Sequence, residues 1–444
     1  HVGYYAEQDA RLTYLLWQRF KHEISRQNLG TIWNLEKQLL PILIRMREKG
    51  IRVDAENAEV LRKNFIEKEK LILHEIKKLT KQDIDIWNAR QIGFAFDKLG
   101  IEYPKTPKSG EPSFTQNWLV NSEHPVSKYI VNAREINKFH NTFLNSIMKY
   151  EHKGRIHGEI NQLRSDTGGT VSGRLSMSNP NLQQLPARNK DFGPLIRGLF
   201  LPEEGDQWGS FDYSQQEPRI VVHYAASIGE GYEGSSELVE AYANADADFH
   251  QTVADLVGIG RKQAKTIGLG LMYGMGKKKL STMLGVSFDE AQLLISKYNQ
   301  KAPFVKLLSE RCMKKANSEG VIRTKLGRKC RFEMWEPKDF GIHTPEKFEN
   351  ASAKYGSGNI KRAFTYKALN RLIQGSAADQ TKQAIVSCHK AGFTPLLQIH
   401  DELCFNIQDV KQAEEIKRVM EGCLELKVPS VVDVAIGNNF GMAT

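Results

Sequence analysis

Two apolar, strand-like segments that lie far apart in this chain each lead to an acidic residue. Residues 208–212 end on Asp212, and residues 396–405 form two apolar arms around a polar His400-Asp401-Glu402 turn, which is typical of a tight hairpin. If the segments are neighbouring strands, the two aspartates could hold a pair of Mg²⁺ ions about 4 Å apart, the arrangement that activates an attacking hydroxyl and stabilises a departing phosphate. An isolated Asp in a turn is more often an ordinary turn residue than a metal ligand, so the surrounding sequence has to decide between these two roles.

Composition narrows the class of protein. The 444 residues exceed what one hydrophobic core usually covers, which predicts several subdomains. Lys and Arg number 62 against 52 Asp and Glu, and this excess favours a polyanionic partner such as nucleic acid. The five cysteines show no CxxC spacing, which argues against a zinc site or a disulfide framework and favours a reducing compartment. No apolar run is long enough for a transmembrane helix, so no membrane partner is expected.

A basic helix is predicted after the break at Gly258-Ile-Gly260. Its residues Arg261, Lys265, Leu269 and Tyr273 recur at i, i+4 steps and form one slowly turning stripe. Cations near a helix start oppose the macrodipole unless they face an anion, and a nucleoside triphosphate would be such an anion. A solvated basic helix is the alternative interpretation.

Several segments resemble the motifs of family A (DNA polymerase I-like) DNA polymerases. Residues 212–219 resemble the metal motif DYSQxExR, residues 400–402 the hydrophobic-flanked HDE motif, and residues 261–274 the fingers motif R-x3-K-x7-YG. Residues 170–186 resemble TGRLSSxxPNLQN, and residues 370–379 resemble NxxxQGxAAD. The motifs stand in the family order, and together they are far more specific than any one alone.

The resemblance implies an α+β, right-hand polymerase fold with an antiparallel palm sheet, helical fingers and a helical thumb. The thumb would begin at the signature Glu48-Lys-Gly-Ile-Arg-Val-Asp54. The implied boundaries are 1–28 for the C-terminal tail of a missing exonuclease domain, 29–52 for a palm–thumb connecting helix, 53–150 for the thumb, 151–244 for palm, 245–358 for fingers and 359–444 for palm.

The start of the chain resembles the third motif of a DnaQ-like 3′→5′ exonuclease. Tyr5 and Asp9 match its YxxxD pattern, and the other exonuclease carboxylates are absent from the sequence. No proofreading is therefore expected from this chain. The same two residues could equally be structural positions on an amphipathic helix.

The family motifs also imply catalytic and nucleotide-binding roles. Asp212 and Asp401 would be metal ligands, the Tyr213 carbonyl a third ligand, Glu402 an accessory acid near the primer end, and Lys265 the group that neutralises developing charge. Arg261, Lys265 and His250 would bind phosphates, while Glu217 would be the steric gate that excludes a ribose 2′-hydroxyl. The expected nucleotide-binding residues are Arg261, Lys265, Leu269, Tyr273, His250, Gln215 and Glu217.

A polymerase must inspect base-pair geometry while ignoring which bases are present. The minor groove allows this, because purine N3 and pyrimidine O2 acceptors occupy similar positions in every correct pair. The resemblance implies Arg, Asn and Gln donors to these acceptors, with His400 at the primer terminus; Gln184 replaces a common Asn. The expected DNA contacts are Arg174, Asn181, Gln184, Asn370, Gln374, Gln398 and His400.

The implied function is template-directed DNA synthesis, which transfers deoxynucleotidyl groups from dNTPs to a primer 3′-hydroxyl in replication or repair. Two Mg²⁺ ions, or Mn²⁺ in their place, are the expected cofactor, and primer-template DNA and dNTPs the expected partners. A helicase, a primase or a processivity factor would be further partners of a monomer that is cytoplasmic or nucleoid-associated, with its viral, bacterial or organellar origin left open.

Other functions remain open from sequence alone. A single-subunit RNA polymerase or a reverse transcriptase shares the chemistry. A catalytically silent DNA-binding paralogue should have lost an acid, whereas Asp212 and Asp401 are both present. A nuclease would need carboxylates clustered at the start of the chain, where only Asp9 remains of the exonuclease set.

Leu269 departs from the family pattern, because the position four before Tyr273 is usually aromatic. Weaker stacking on the incoming nucleotide is expected to alter discrimination at the sugar and to slow incorporation. Leu269→Phe and Leu269→Tyr should therefore change the ratio of dideoxynucleotide to deoxynucleotide incorporation, measured by single-nucleotide primer extension. Indistinguishable kinetics among the variants and the wild type would refute this hypothesis.

Overall fold

The computed structural model describes the chain except for residues 1, 108, 166–167, 188, 228–238, 241, 243–247, 274, 302, 340, 342 and 444. Helices predominate in the described residues, and short antiparallel strand pairs join them, so the predicted α+β class is confirmed. No helix within these ranges combines the length and the apolar character that a membrane span requires.

The helices long enough to label are α1 (Val2–Arg26), α2 (Gly30–Lys49), α3 (Ala55–Thr80), α4 (Ala89–Lys98), α5 (Gln116–Asn121), α6 (Pro125–Lys138), α7 (Asn145–Tyr150), α8 (Gly193–Arg197), α9 (Gln216–Ser227), α10 (Phe249–Val257), α11 (Arg261–Met272), α12 (Lys277–Leu284), α13 (Phe288–Lys301), α14 (Pro303–Glu319), α15 (Phe348–Tyr355), α16 (Ala368–Lys390) and α17 (Val410–Gly422). A π-helical turn, Phe139–Leu144, joins α6 to α7.

The strands are β1 (Ile51–Val53), β2 (Glu151–His152), β3 (Arg155–Ile156), β4 (Glu159–Asn161), β5 (Ser176–Ser178), β6 (Phe200–Leu201), β7 (Gln207–Tyr213), β8 (Val321–Arg323), β9 (Lys329–Arg331), β10 (Met334–Pro337), β11 (Glu346–Lys347), β12 (Ile360–Arg362), β13 (Leu397–Ile399), β14 (Glu402–Ile407) and β15 (Val432–Gly437).

The chain folds into two compact units. Unit 1 comprises His1–Met46, Ile160–Ser176 and Gly209–Ala435, and unit 2 comprises Arg47–Glu159, Met177–Trp208 and Ile436–Thr444. Most of the predicted site residues belong to unit 1.

Unit 2 is mainly helical, as expected for residues 53–150. Asp54 caps α3 because its side chain accepts a hydrogen bond from the Asn57 amide. Helices α3 and α6 pack together, and the core around them contains Phe96 and Phe114 with their rings 5.1 Å apart in an edge-to-face arrangement. A small sheet of order β2-β3-β1-β6 accompanies these helices.

The main sheet of unit 1 has the strand order β13-β14-β7-β15. The interior position of β7 explains its apolar sequence, because a strand with neighbours on both edges is largely covered. A Cβ atom on Gly209 would lie 2.5 Å from Ile407 Cγ1, so a glycine is required for β14 to pack this closely beside β7. Strand β15, which none of the motifs includes, completes the sheet beyond β7.

Helix α16 crosses the interior of unit 1 and is buried along most of its length. Small residues allow this close packing: a Cβ atom on Gly375 would lie 2.9 Å from Thr324 Cγ2. Helix α9 and helix α14 both pack against α16. The helix therefore provides a rigid support for the polar side chains that it carries.

A buried network of charges ties α2 to α16 within unit 1. Arg328 donates from Nε to Asp379 at 2.6 Å and also pairs with Glu36, while Lys382 Nζ donates to the same Glu36 carboxylate at 2.8 Å. Thr324 donates its hydroxyl to the second oxygen of Asp379 at 2.6 Å. Each charge is compensated, which is the condition under which buried ions are tolerated.

Lys382→Ala is expected to lower the free energy of unfolding by about 3–5 kcal/mol, because it leaves a buried carboxylate short of a partner. Urea denaturation followed by circular dichroism measures the change. Glu23→Ala is the control, since it breaks an ion pair with Arg26 at 2.6 Å that lies on the surface of α1 and should leave the transition close to that of the wild type. Equal shifts for the two variants would contradict the prediction.

Candidate active site

The main sheet of unit 1 brings Asp212 and Asp401 together. The amide of Tyr213, the last residue of β7, donates to the carbonyl of Asp401 at 3.4 Å. Asp401 is the second residue of a two-residue turn between β13 and β14, in which Ile399 faces Glu402 across the hairpin. The first turn residue, His400, has a left-handed φ of 55°, as this kind of tight turn demands. The two acids therefore converge, despite their separation along the chain.

Negative charge accumulates around Asp212. Partial burial and then the charges of Asp401, Glu402 and Asp433 raise the pKa of Asp212 to about 7. Solvent still reaches this side chain, so water screens part of the repulsion. Burial also raises the pKa of Asp401. Carboxylates held this close together repel one another unless a cation neutralises them.

These acids fit a divalent cation that prefers oxygen ligands. Mg²⁺ is usually bound by one or two carboxylates, with waters and substrate phosphates completing its coordination. Within the described residues no three His, Cys, Asp or Glu side chains surround a common metal position. The remaining ligands would therefore have to come from water, backbone carbonyls and the substrate.

Glu217 stands at the centre of a hydrogen-bonded cluster. It lies in the first turn of α9, accepts from the Tyr273 hydroxyl at 2.7 Å and pairs with Arg174. Gln374 on α16 hydrogen-bonds to the same hydroxyl, and burial together with the Glu217 charge raises the pKa of Tyr273. Residues expected to contact the nucleotide and residues expected to contact the DNA thus meet at one place in unit 1.

Helix α11 presents its cations outwards. Gly260 is the N-cap residue, so the helix begins at Arg261 as the sequence predicts. Arg261 and Lys265 are exposed, Leu269 is half-buried against the core, and Tyr273 follows the last helical turn with an exposed side chain. Three residues of the predicted i, i+4 stripe, Arg261, Lys265 and Tyr273, are therefore exposed to solvent, whereas Leu269 packs against the core.

His250, on α10, lies near the cations Arg261 and Lys265 of α11. Its side chain is 5% exposed, and burial followed by the positive charge of Lys265 lowers its pKa to about 4. The imidazole is consequently neutral at physiological pH. A neutral ring can donate one hydrogen bond to a phosphate oxygen without adding charge.

Asp248 is a site residue that the motifs did not reveal. One carboxylate oxygen, Oδ1, accepts from the amides of His250 at 2.9 Å and Gln251 at 3.1 Å, which caps α10. The other, Oδ2, accepts from Arg261 Nε at 2.7 Å and lies 2.6 Å from Arg261 Nη2. The cation at the start of α11 thus faces an anion of the chain itself.

The backbone next to Asp212 is held firmly. The Tyr213 hydroxyl donates to the Met420 carbonyl at 2.7 Å, and full burial raises the pKa of this phenol. Gln215 has a left-handed φ of 52° and accepts from the Tyr242 hydroxyl at 3.3 Å. These contacts anchor the turn from β7 into α9.

The expected minor-groove residues lie in both units. In unit 1, Asn370 and Gln374 are half-buried one turn apart on α16, and buried Gln398 donates from Nε2 to the His400 carbonyl at 2.6 Å. In unit 2, Asn181 and Gln184 are exposed, and Asn181 caps the short 3₁₀ turn Leu182–Gln184. Their contacts with DNA remain predictions.

Two more features of unit 1 lie outside the motifs. Asp433 projects its charge onto Asp212 from β15, and the alternating residues of that strand were the signal that could have revealed it. The other feature is a basic cavity of about 490 Å³, for which the run Arg328-Lys-Cys-Arg331 is the sequence signal. Its cationic lining consists of Arg164, Arg328, Lys329, Arg331 and Arg371.

Comparison with known proteins decides the family. The sequence profile of DNA polymerase family A matches residues 55–442. The chain belongs to DNA polymerase family A. It is 39% identical over 490 residues to a DNA-directed DNA polymerase of Pseudomonas phage M6, an alignment that covers 99% of this chain and 70% of that protein. It is 30% identical over 470 residues to DNA polymerase I of Pseudomonas aeruginosa, covering 100% of this chain and 48% of that enzyme.

The fold of this family A polymerase is also similar to a solved structure. The POL domain of Pol1 from M. smegmatis, in complex with DNA primer-template and dNTP, has a TM-score of 0.77 and 26% sequence identity. The match covers 95% of this chain and 73% of that one. The predicted right-hand polymerase fold is confirmed.

Family membership also confirms the predicted activity. The protein is a DNA-directed DNA polymerase that carries out template-directed DNA synthesis, and the alternatives of a single-subunit RNA polymerase or a reverse transcriptase are excluded. A divalent metal requirement is general in this family. The exonuclease assignment of Tyr5 and Asp9, which are exposed on α1, remains a prediction.

Asp212 should make the metal-free protein less stable as pH rises. Its folded pKa of about 7 lies above the ordinary value of 3.8. Between these values the unfolded chain binds fewer protons than the folded one, so stability falls through this window. Asp212→Asn should therefore raise Tm relative to wild type at about pH 8 without divalent ions, and the difference should shrink towards pH 5.

Differential scanning fluorimetry across this pH range measures the effect. Added Mg²⁺ should raise the Tm of the wild type more than that of Asp212→Asn, because the variant has lost one carboxylate that attracts the ion. A variant that melts no higher than the wild type at the alkaline end would contradict the assignment of repulsion to this site.

Proposed function

We propose that this family A polymerase transfers deoxynucleotidyl groups to a primer 3′-hydroxyl with Asp212 and Asp401 as ligands of two Mg²⁺ ions, for which Mn²⁺ can substitute. The observation that carries this proposal is the convergence of the two aspartates at the end of β7, where burial and then the charges of Asp401, Glu402 and Asp433 raise the pKa of Asp212 to about 7. Such a site attracts divalent cations strongly.

Primer-template DNA and dNTPs are the proposed substrates. The M. smegmatis relative was solved with both, and the basic cavity of unit 1 supplies cations for a phosphate backbone. The relatives come from phages and bacteria, so we expect the protein to act on DNA in the bacterial cytoplasm or nucleoid. We also expect it to be a monomer. A helicase, a primase or a processivity factor would be a further partner.

The acids of the main sheet would prepare the primer end for attack. Asp212, Asp401 and the Tyr213 carbonyl would hold the cations, and half-buried Glu402 would add negative charge beside them. When bound, the cations lower the pKa of the primer 3′-hydroxyl and stabilise the departing pyrophosphate. His400, exposed at the hairpin turn, would contact the primer terminus.

The exposed stripe of α11 would bind the triphosphate. Arg261 and Lys265 offer positive charge at the amino end of the helix, where free amides also favour an anion. Lys265 would neutralise the charge that develops on the phosphates, and neutral His250 would donate a hydrogen bond to them. These groups lie on α10 and α11 of unit 1.

Glu217 would act as the steric gate against ribonucleotides. Its carboxylate is held by Arg174 and Tyr273, so it cannot swing aside without breaking both contacts. Gln215 holds the preceding turn, and Tyr273 would pack beside the nascent base pair, with Leu269 one turn earlier on the helix. A 2′-hydroxyl would then meet a fixed carboxylate rather than a mobile one.

Minor-groove donors would check the pairing geometry. In unit 1, Asn370 and Gln374 are carried by the buried helix α16 and Gln398 by the buried strand β13, while Arg174 comes from a loop and is held by its ion pair with Glu217. Asn181 and Gln184 in unit 2 are exposed donors that can reach DNA. Contacts of this kind depend on pairing geometry rather than on base identity.

Asp401→Ala is expected to slow single-turnover primer extension with Mg²⁺ by about a thousandfold or more, because it removes one of two charged metal ligands. Asp409→Asn is the matched control. Asp409 caps α17 through the Gln412 amide, and Asn retains such a cap. Extension by the Asp401 variant within tenfold of wild type, with dNTPs and a DNA template, would refute the proposed role.

A further inference from the structure

The carboxylate of Asp248 has two separate tasks. Its Oδ1 holds the first turn of α10 through the amides of His250 and Gln251, which fixes the side chain relative to the helix backbone. Its Oδ2 is therefore presented to Arg261 in a set direction, with Nε at 2.7 Å and Nη2 at 2.6 Å. The side chains of Asp248 and Arg261 are 30% and 50% exposed, so an ion or ligand from solvent can reach the pair.

This anion lies among the groups proposed to bind the triphosphate. Buried His250 experiences the charges of Lys265, Asp248 and Arg261 together, which places all of them around one point. Arg261 stands at the amino end of α11, where a cation opposes the helix macrodipole and needs an anion nearby. Asp248 supplies that anion when no nucleotide is present.

We propose that Asp248 is an internal competitor for the triphosphate of the incoming nucleotide. Its carboxylate binds Arg261 in the nucleotide-free enzyme, and the phosphates must take its place before Arg261 can bind them. The carboxylate also repels the bound triphosphate, since both are negative. This inference rests on the proposed function, in which Arg261 binds phosphate.

The competition sets the nucleotide concentration that the enzyme needs. A partly exposed ion pair of this kind corresponds to a factor of about twofold to fivefold in an equilibrium constant. The competitor acts on any phosphate anion at the site, so it should weaken the retention of the product pyrophosphate as well as the binding of dNTP. The benefit to the enzyme is that Arg261 keeps a compensating charge between turnovers.

Asp248→Asn tests the proposal, because Asn removes the charge and is an equally good N-cap. The Kd for dNTP is measured on the enzyme bound to a primer-template whose primer ends in a dideoxynucleotide, and KM, kcat and pyrophosphate inhibition are measured on an extendable primer. Asp248→Asn is expected to lower Kd and KM by about twofold to fivefold, with the effect confined to KM rather than kcat. The inhibition constant of pyrophosphate should fall by a similar factor.

Asp255→Asn is the matched control. It removes one exposed carboxylate from the same helix, where Asp255 is hydrogen-bonded to Gln251, and it should leave Kd unchanged. Arg261→Ala should raise Kd for dNTP, and in that background Asp248→Asn should have less than about a twofold effect, because the partner of the competitor is gone. Thermal melting of each variant verifies that α10 remains folded.

The variants distinguish a failure of the proposed phosphate role of Arg261 from a failure of the proposed competition by Asp248. If Arg261→Ala leaves the dNTP affinity unchanged, the proposed phosphate role of Arg261 is wrong and the competitor has no target. If Arg261→Ala weakens binding while Asp248→Asn has no effect or raises Kd, the internal competition is overturned and the proposed function stands. An equal fall in Kd for Asp255→Asn would also overturn it, by reducing the effect to net charge.

Discussion

The pairing of β7 with β14 is the interaction on which the chemistry of this polymerase depends. It places the end of one strand beside a two-residue turn, so that the Tyr213 amide reaches the Asp401 carbonyl and two carboxylates become neighbours. Two neighbouring carboxylates repel each other and destabilise the folded protein unless a cation binds. The buried sheet provides the stability that holds them there, and Gly209 allows the strands to approach closely enough.

Charge in unit 1 is arranged in two complementary regions. Acids surround Asp212, where a divalent cation would be attracted. Cations on α11 and neutral His250 form the other region, where a triphosphate would bind. Asp248 pairs with Arg261, so that region already contains an anion. The substrate would therefore exchange contacts rather than create all of them anew.

Glu217 illustrates how one residue can serve several elements. It lies in the first turn of α9, accepts a hydrogen bond from the Tyr273 hydroxyl at the end of α11 and pairs with Arg174 from a loop. Gln374 on the buried helix α16 completes the cluster. Helix α16 is buried along most of its length, so packing fixes the position of Gln374. Gln374 in turn limits where the more exposed residues of the cluster can lie.

The sequence by itself predicted the strand that ends near Asp212, the hairpin around Asp401 and the start of α11 at Arg261, because local periodicity and turn chemistry are properties of neighbouring residues. The motifs and their order then indicated the family, and the resemblance to that family implied the fold class. Only the tertiary structure decided that β15 adds Asp433 to the acids, that Asp248 pairs with Arg261, and that Glu36, Arg328, Asp379 and Lys382 form one buried network. These contacts join residues separated by loops or by hundreds of positions, and no local pattern encodes which distant charge will be brought to a given side chain when the chain packs its core.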